Sequence, residues 1–543
     1  MKRFMLACIL VTGLSVSGQT HAAYHWVSSS GSAAWDSCVG NSDPGVYCSL
    51  STANTNAAAG DTVYLKAGTY SDDGYINPAK SGTSGSPITY QGYGGTVTIT
   101  GQSYGVYLSA DDYIAVREIT FDRNSRFLII LNSDHNIIDS CVFTNGTYSS
   151  WQGAHIYNNS KYNVISNSTL GVFGRCSTGS DDGVVLEVGT EESNTDTTSF
   201  NLIDNCTMYH GGHHVLGMNS RYNTVRNSHF YNNAWCSYSG KNYGNRSVFI
   251  VGAIDPAFGI RNLFEGNRVG YSDPPVDQPG DGASVFDLAG NRNIVRYNDI
   301  FRASAGGLSF GCGSAYPVAP SYNYVYNNNM YDNGQSDLGE ESGVVFNDWG
   351  HPGTMQGNVF KNNIIYSNGN PVSAFEFHGS SRSNQTIVNN MEESVDPKYT
   401  DASGTDPAST ANPKFALLSD SPAINAGGAL TTVSAADTGT GTSLILTDAS
   451  YFQDGTWAPP GTIQADWIAV GTVTNVIQIA AVNYSINTIT LVNAIQRKDG
   501  DPVWLYKKSD GVRVLYGSAP DAGAHEFVPA VAPEAPKNLR ITQ

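Results

Sequence analysis

Residues 211–233, GGHHVLGMNSRYNTVRNSHFYNN, contain the spacing that decides the fold. Within them Asn223 is followed after two residues by Val225 and after seven residues by Phe230. The same spacing, with an apolar residue at both later positions, recurs in segments that begin at Asn136, Asn163, Asn201, Asn223, Asn262, Asn293, Asn323 and Asn358. Because 40% of the chain is apolar, a pattern kept in every one of these segments indicates a structural repeat.

The distance between successive repeats varies from 22 to 39 residues, whereas the spacing inside each repeat is constant. This combination is typical of a solenoid whose loops carry insertions. Short β-forming runs alternate with Asn or Gly, and helical periodicity is absent. Asn tolerates the backbone conformation of sharp bends, and stacked Asn side chains can hydrogen-bond along the axis. We therefore predict an all-β chain folded as a right-handed parallel β-helix with three short strands per coil.

Two further regions resemble a known group of proteins. AAAGDTVYLKAGTY (57–70) is similar to the opening segment of secreted pectate-lyase-like β-helix proteins. NPKFALLSDSPAINAG (412–427) and PDAGAHEF (520–527) resemble their closing segment. The resemblance covers most of the chain and implies the same right-handed parallel β-helix. It does not select a function, because this fold is used by lyases, hydrolases, esterases, epimerases and adhesins.

The resemblance and the repeats together predict the division of the chain. The span 429–515 interrupts the closing segment and has alternating strands of its own, so we expect an inserted small β module. The complete division is a signal peptide (1–22), an N-terminal cap (23–70), β-helix coils with the start of the closing segment (71–428), the inserted module (429–515), the rest of the closing segment (516–528) and a Pro-rich tail (529–543).

The first residues predict export. The basic pair Lys2 and Arg3 precedes an apolar run from Phe4 to Val16, which is the pattern of a secretory signal, cleaved near Ala22. The chain has 29 basic and 47 acidic residues, a net charge of −18, and losing Lys2 and Arg3 makes it −20. This charge argues against nucleic acid and against anionic membranes as partners. We expect a secreted, extracellular or periplasmic monomer that acts on polysaccharide, without membrane insertion and without an organic cofactor.

The cysteines suggest one disulfide. Cys38 and Cys48 bracket a short loop and are the best candidates for a bond in an exported protein. Cys176 and Cys236 fall at equivalent positions of two longer loops, and we leave open whether they pair.

The strand GAHIY (153–157) sets the expected register of the third strand in each coil. Alternation points Ala154 and Ile156 inward and His155 and Tyr157 outward. In the same register His214 takes the place of Ala154, so we expect its side chain to face inward.

Extending this register places Tyr157 beside Glu187 in the next coil and turns Val185 and Val215 outward. It separates Glu187 from Asp287 by three coils, or about 14 Å. That distance is too long for the paired carboxylates of a simple hydrolase, so we do not expect these two residues to act together.

Long insertions precede the third strand in several coils. Because the coils stack in register, we expect their loops to form one wall beside the outward face. The loops are 173–182, 233–246, 272–282 and 333–342. A cleft with aromatic and charged side chains suits a glycan, whereas solvated loops that protect the sheet edges are the alternative.

Elimination from a uronate needs a cation beside the carboxylate and a base for the C5 proton. The candidate catalytic residues are Lys241, Arg246 and Arg175 as cations, and His155 and Tyr157 as bases. The candidate substrate-binding residues are Trp235, Tyr238, Tyr243, Glu187 and Asp287. Ca²⁺ prefers carboxylate and carbonyl oxygens, and its candidate ligands are Asp181, Asp182, Asp277 and Asp281.

Three functions remain open. We favour a lyase-type enzyme that acts on an acidic polysaccharide with the aid of Ca²⁺. A non-catalytic glycan-binding or surface β-helix protein is the second hypothesis. A glycoside hydrolase is the third, because GSDDG (179–183) echoes part of the polygalacturonase signature, although the other elements occur in the wrong order.

Overall fold

The computed structural model confirms the predicted architecture. It describes residues 23–147, 150–177, 180–190, 196–233, 236–238, 241–243, 247–252, 259–272, 284–311, 319–334, 340–348, 354–369, 372–411 and 413–529. Within these ranges the chain is almost entirely β, and parallel strands stack coil on coil as a right-handed parallel β-helix. None of the helices in this part of the chain is long and apolar enough to cross a membrane.

Each coil contributes strands to three faces. Face 1 begins with the strands Tyr24–Val27, Thr62–Tyr70 and Ile88–Thr100, the last two of which also bend onto face 2. It continues through Ile114–Arg117, Ile137–Asp139, Val164–Ser166, Leu202–Asp204, Thr224–Arg226, Leu263–Glu265, Ile294–Arg296, Tyr324–Tyr326, Val359–Lys361 and Thr386–Val388.

Face 2 follows face 1 after a bend at the polar position five residues beyond the repeated Asn. Its strands are Thr120–Asp122, Val142–Thr144, Thr169–Phe173, Thr207–Gly211, His229–Asn232, Arg268–Ser272, Asp299–Ala303, Asn329–Tyr331, Ile364–Tyr366 and Met391–Glu392.

Face 3 is a separate sheet of ten parallel strands in the described residues. Its strands are Tyr104–Ser109, Arg126–Leu131, Gln152–Tyr157, Val184–Gly189, His214–Asn219, Phe249–Val251, Phe286–Leu288, Leu308–Gly311, Val344–Asn347 and Phe375–His378. Side chains from all three faces fill one continuous apolar core between the sheets.

The repeated Asn residues form a buried ladder along the axis. Asn262 donates from its backbone N and from Nδ2 to Oδ1 of Asn293, at 2.9 and 3.2 Å. Asn293 in turn donates to Asn323 in the next coil at 2.9 and 3.1 Å. The same double contact continues from Asn136 to the end of the ladder at Gln385. The ladder satisfies backbone groups at each bend and fixes the register of face 1.

A short cap closes the N-terminal end of the core. Its helix, Leu50–Asn56, begins at Ser49, whose side chain accepts a hydrogen bond from Thr52 N at 3.0 Å. Leu50 is buried against the first coil. Cys38 and Cys48 form a disulfide beside the helix, with 5.8 Å between their Cα atoms. Two single-turn 3₁₀ helices span Trp35–Ser37 and Arg382–Asn384.

An antiparallel sheet of six strands covers part of face 1. Its strands are Thr431–Thr432, Gly439–Ile445, Trp467–Val470, Val476–Asn483, Thr488–Arg497 and Pro502–Lys507. Outward residues of face 1, such as Tyr324 and Tyr326, pack into the apolar core of this sheet. A hairpin, Tyr399–Asp401 with Lys414–Leu417, lies beside face 2.

Candidate active site

The outward side chains of face 3 form one column along the axis. From the first coil onward the paired positions are Tyr107, Ile129, His155, Glu187, Gly217, Ile250, Asp287, Ser309, Val345 and Glu376.

The register of face 3 differs from the predicted one by two residues in the coils of Glu187, Gly217 and Asp287, whereas Ser309, Val345 and Glu376 share the column of His155 as predicted. His155, and not Tyr157, is the neighbour of Glu187 in the next coil. Val185 and Val215 pack in the main core, so the prediction that they face outward was wrong. Glu187 and Asp287 are separated by three coils, as predicted. These two carboxylates therefore cannot form a hydrolytic pair.

His155 and Tyr157 lie two residues apart on the outer surface and form one stacked unit. Their ring centroids are 3.8 Å apart and the ring planes differ by 7°. His155 Nε2 lies 2.9 Å from the carbonyl oxygen of Gly189, which can only accept, so Nε2 carries the proton. Burial lowers the pKa of His155 to about 4, and the imidazole is neutral at pH 7. Its ring is almost fully enclosed, whereas Tyr157 is half-buried.

Arg126 lies at the start of a neighbouring strand and brings a positive charge to the same surface. Its Nε donates to the carbonyl oxygen of Gln152 at 3.0 Å, which fixes the guanidinium across the coil boundary. Burial lowers the pKa of Arg126, and Tyr157, Tyr104 and Glu187 act in the opposite direction. In the described part of the chain, no carboxylate forms an ion pair with Arg126. The guanidinium is thus a fixed cation that can receive an anionic group.

Arg126 was missed in the sequence because, as the first residue of the strand RFLIIL, it belongs to no recognisable motif. The available signal was its place two residues before Leu128, which pairs with the inward Ala154. A correct register would have identified it as the neighbour of Gln152.

Next to this group, Gly217 has no side chain on the outer surface. The imidazole of His214 occupies the space beside it. A Cβ atom on Gly217 would lie 2.7 Å from His214 Nε2 and 3.4 Å from Glu187 Cγ. Glu187 accepts a hydrogen bond from Asn219 Nδ2 at 3.0 Å. The imidazole of His214 therefore lies on the outer side of the sheet, and the prediction that it faces the core was wrong.

The histidine pair of residues 213 and 214 is joined through its ring nitrogens. The two Nδ1 atoms are 2.8 Å apart, so one of them carries a proton and donates it to the other. Burial and the neighbouring His213 hold the pKa of His214 well below its usual range. Trp151 lies against the exposed side, with its ring centroid 5.3 Å from that of His213. His214, which is neutral at pH 7, and its partner His213 thus form one wall of the surface cluster.

Three tyrosines extend the surface toward the N-terminal cap. The ring centroids of Tyr75 and Tyr104 are 5.2 Å apart, and those of Tyr104 and Tyr107 are 4.8 Å apart. Such a row of half-exposed rings offers flat apolar surface with hydroxyl groups, which is suited to sugar rings.

Two hairpins stand beside the cluster, where the long insertions were predicted to form a wall. Arg175–Ser177 pairs with Ser180–Asp182, and Cys236–Tyr238 pairs with Lys241–Tyr243. The first strands of the two hairpins lie next to each other.

The side chains of these hairpins lie outside the described part of the structure. This applies to six of the predicted site residues, which are Arg175, Asp181, Asp182, Tyr238, Lys241 and Tyr243, and to the cysteines at 176 and 236. Trp235, Arg246, Asp277 and Asp281 lie entirely outside the described residues.

A second polar group lies on the distal coils of face 3. Burial, with a contribution from Glu340, raises the pKa of Asp287 to about 7. Glu340 Oε1 accepts a hydrogen bond from Asn347 Nδ2 at 2.7 Å, and Glu376 lies 2.7 Å from His378 Nε2. Asp287 is therefore partly protonated near neutral pH, far along the axis from the cluster around Arg126.

The described residues contain no group of three or more His, Cys, Asp or Glu side chains arranged to hold a metal ion. The side chains of the four aspartates predicted to bind Ca²⁺ fall outside what the structure describes, so the Ca²⁺ site stays a prediction.

The chain matches no protein-family profile and no curated protein. Among solved structures, it is similar to pectate lyase Pel9A, with 15% identity over 74% of this chain and 91% of that one, and a TM-score of 0.45.

Two further solved structures are also similar to this chain. The polysaccharide lyase Pedsa3628 of family PL6 from Pseudopedobacter saltans shares 16% identity, over 64% of this chain and 92% of that one, with a TM-score of 0.42. PfbA, a surface adhesin of Streptococcus pneumoniae, shares 15% identity, over 60% and 83%, with a TM-score of 0.37. Similarities of this size carry no inference about activity.

Proposed function

We propose that this chain is an exported enzyme that cleaves an acidic polysaccharide by β-elimination on the outer surface of face 3. The observation that carries the proposal is the grouping of Arg126, Tyr157 and His155, in which a fixed cation adjoins a phenol and a neutral imidazole. Elimination from a uronate needs these components, because the carboxylate must be neutralised before the C5 proton can be removed.

In this proposal Arg126 binds the carboxylate of the uronate and stabilises the charge that develops on it. Tyr157, which is more exposed than His155, acts as its phenolate and takes the proton from C5. The electron pair of the C–H bond forms the C4–C5 double bond, and the glycosidic C4–O bond breaks. The leaving oxygen takes up the proton that Tyr157 removed from C5, which returns Tyr157 to the phenolate, and no water is consumed. His155 is a positioning residue that holds the Tyr157 ring through the stacking contact.

The loop residues at 175, 241 and 246 remain proposed as additional cations beside the same surface. The aspartates at 181, 182, 277 and 281 remain proposed as Ca²⁺ ligands, and bound Ca²⁺ would add positive charge near the substrate carboxylate. Export through the predicted signal peptide belongs to the same proposal.

A non-catalytic glycan-binding protein is the second candidate. The tyrosine row of Tyr75, Tyr104 and Tyr107 favours it, because half-exposed aromatic rings can bind sugars without any chemistry.

The test is incubation of the purified protein with a panel of polysaccharides, some acidic and some neutral, with Ca²⁺ or with a chelator. The proposal expects ultraviolet absorbance from an unsaturated product with an acidic polymer, and a lower rate with the chelator if Ca²⁺ is required. Reducing ends without absorbance would indicate a hydrolase. Retained binding with neither signal would favour the non-catalytic candidate and contradict the enzyme.

A further inference from the structure

A second cavity lies away from face 3, where four parts of the chain meet. It has a volume of about 570 Å³ and is bounded by face 2, the hairpin beside face 2, the six-stranded module and the closing segment. This volume lies within the range of small-ligand sites, and junctions between structural units are common positions for such sites.

The lining of this cavity is basic, although the molecule as a whole is acidic. Arg268, Lys414, Lys508 and Arg513 line it, and the chain carries a net charge of −18. The acidic side chains in the lining are Asp299 and Glu526. A local excess of positive charge attracts anions, whereas the rest of this acidic surface repels them.

Arg268 is paired with Asp299, and Lys508 Nζ lies 3.2 Å from Asp510 Oδ2, so among the described residues the cations of the lining without an ion pair are Lys414 and Arg513. Asp299 is already held within the wall, since His525 Nε2 lies 3.0 Å from both carboxylate oxygens and Arg268 Nη1 lies 3.5 Å away. Burial, with a contribution from Asp521, raises the pKa of Glu526 to about 8, so this carboxyl is largely uncharged at pH 7.

The wall is fixed rather than adaptable. Arg268 donates from Nη1 to the carbonyl oxygen of Pro413 at 3.0 Å, and its guanidinium lies over the Phe301 ring at 4.9 Å. Arg513 lies over the exposed ring of Tyr516 at 4.4 Å, which places a cation and an aromatic surface side by side at the mouth. Such a pairing suits a ring that carries an anionic substituent.

We propose that this cavity, named here the junction pocket, binds the anionic group of an acidic sugar residue, either a uronate carboxylate or a sulfate ester. Lys414 and Arg513 supply the accessible charge, and Tyr516 supplies the surface for the sugar ring. The site goes beyond the proposed elimination on face 3 and gives the module a role in holding acidic glycans.

The test is isothermal titration of the full chain carrying Arg126→Ala, so that binding at face 3 is weakened. The probes are a trigalacturonate, the same trisaccharide with methyl-esterified carboxyls, and a sulfated neutral trisaccharide. We expect at least about tenfold tighter binding of one or both anionic probes than of the ester, and the tighter of the two identifies the anionic group.

The charge-reversed double variant Lys414→Glu, Arg513→Glu should weaken anionic binding by at least about tenfold, whereas Lys498→Glu, an exposed module lysine outside the pocket, should not. If the double variant does not fold, the milder Lys414→Gln should give a smaller loss in the same direction. Equal affinity for the ester and both anions, or affinity unchanged in the pocket variants, would overturn the proposal. Because catalysis is not measured, this result is independent of the outcome on face 3.

Discussion

At the scale of single residues, the outer surface of face 3 combines groups with different tasks within two neighbouring coils. His155 is neutral and enclosed, with its proton committed to Gly189, so it acts by holding Tyr157. Tyr157 is the accessible group of the pair, and Arg126 supplies the charge. This division of tasks follows from burial and hydrogen bonding, and each of the three side chains can be replaced separately.

Replacement Tyr157→Phe removes one oxygen atom and keeps the stacked ring. We expect elimination to slow by about 10²–10⁴-fold with an unchanged melting temperature. Burial raises the pKa of Tyr157 above its usual value near 10, so the phenolate fraction and the wild-type rate should rise from pH 7 to pH 10. The measurement is the pH–rate profile of both proteins. A Phe variant with the wild-type rate and profile would remove Tyr157 from proton transfer.

Replacement Gly217→Ala tests the position of His214. The added Cβ would lie 2.7 Å from His214 Nε2, so the imidazole must shift, and we expect a loss of about 1–3 kcal/mol in the free energy of unfolding. The double variant His214→Ala, Gly217→Ala removes the clash and should be more stable than the sum of the single changes allows. If the free-energy changes of the two single variants add up strictly to that of the double variant in urea unfolding, the imidazole does not contact residue 217.

At the scale of elements, the sequence predicts face 1 better than face 3 for a physical reason. The Asn ladder places Asn at the same position of eight successive coils, so the sequence shows the register of face 1 directly. Face 3 has no such ladder, and the loops before it differ in length from coil to coil. A two-residue shift keeps the alternation of apolar and polar residues, and alternation alone cannot exclude it.

The same reasoning explains which site residues were found. His155 and Tyr157 were placed on the outer surface because alternation within one strand suffices for that. The pairing of His155 with Glu187, the position of Arg126 and the side on which His214 lies all depend on the register between coils. These features required the structure.

Replacement Asn293→Ala interrupts the ladder in its middle. Asn293 accepts two hydrogen bonds from Asn262 and donates to Gly259 and Asn323, so its loss leaves several buried polar groups without partners. We expect the free energy of unfolding to fall by about 3 kcal/mol in urea titrations. Asn483→Ala, at an exposed position of the module, is the matched control and should cost less than about 0.5 kcal/mol. Similar losses of stability in both variants would contradict the stabilising role assigned to the Asn ladder.

At the scale of the whole molecule, the six-stranded module is joined to the β-helix through a buried ionic group. Arg296 on face 1 donates from Nη2 to Asp466 Oδ1 of the module at 2.7 Å and from Nε to Glu265 Oε2 at 2.6 Å. All three side chains are fully buried. The module is therefore packed firmly against the β-helix. This packing also forms part of the wall of the junction pocket.

Replacement Arg296→Met leaves two buried carboxylates without their cation. We expect a loss of about 3–5 kcal/mol and faster proteolysis within 429–515, measured by urea unfolding and limited digestion. The unpaired carboxyls would have raised pKa values, so the loss should shrink as pH falls from 8 toward 5. Arg382→Met, at an exposed arginine paired with Glu392 at 3.3 Å, is the control and should cost less than about 1 kcal/mol. A loss that does not depend on pH would contradict the ionic role.

The central claim, elimination on face 3, is tested most directly by the mass of the products formed in heavy-oxygen water. Elimination consumes no water, so the account predicts unsaturated fragments without the heavy isotope, and at least about a hundredfold slower formation by Arg126→Ala. Saturated fragments that carry one heavy oxygen would show hydrolysis and contradict the account, as would unsaturated products formed by Arg126→Ala at the wild-type rate.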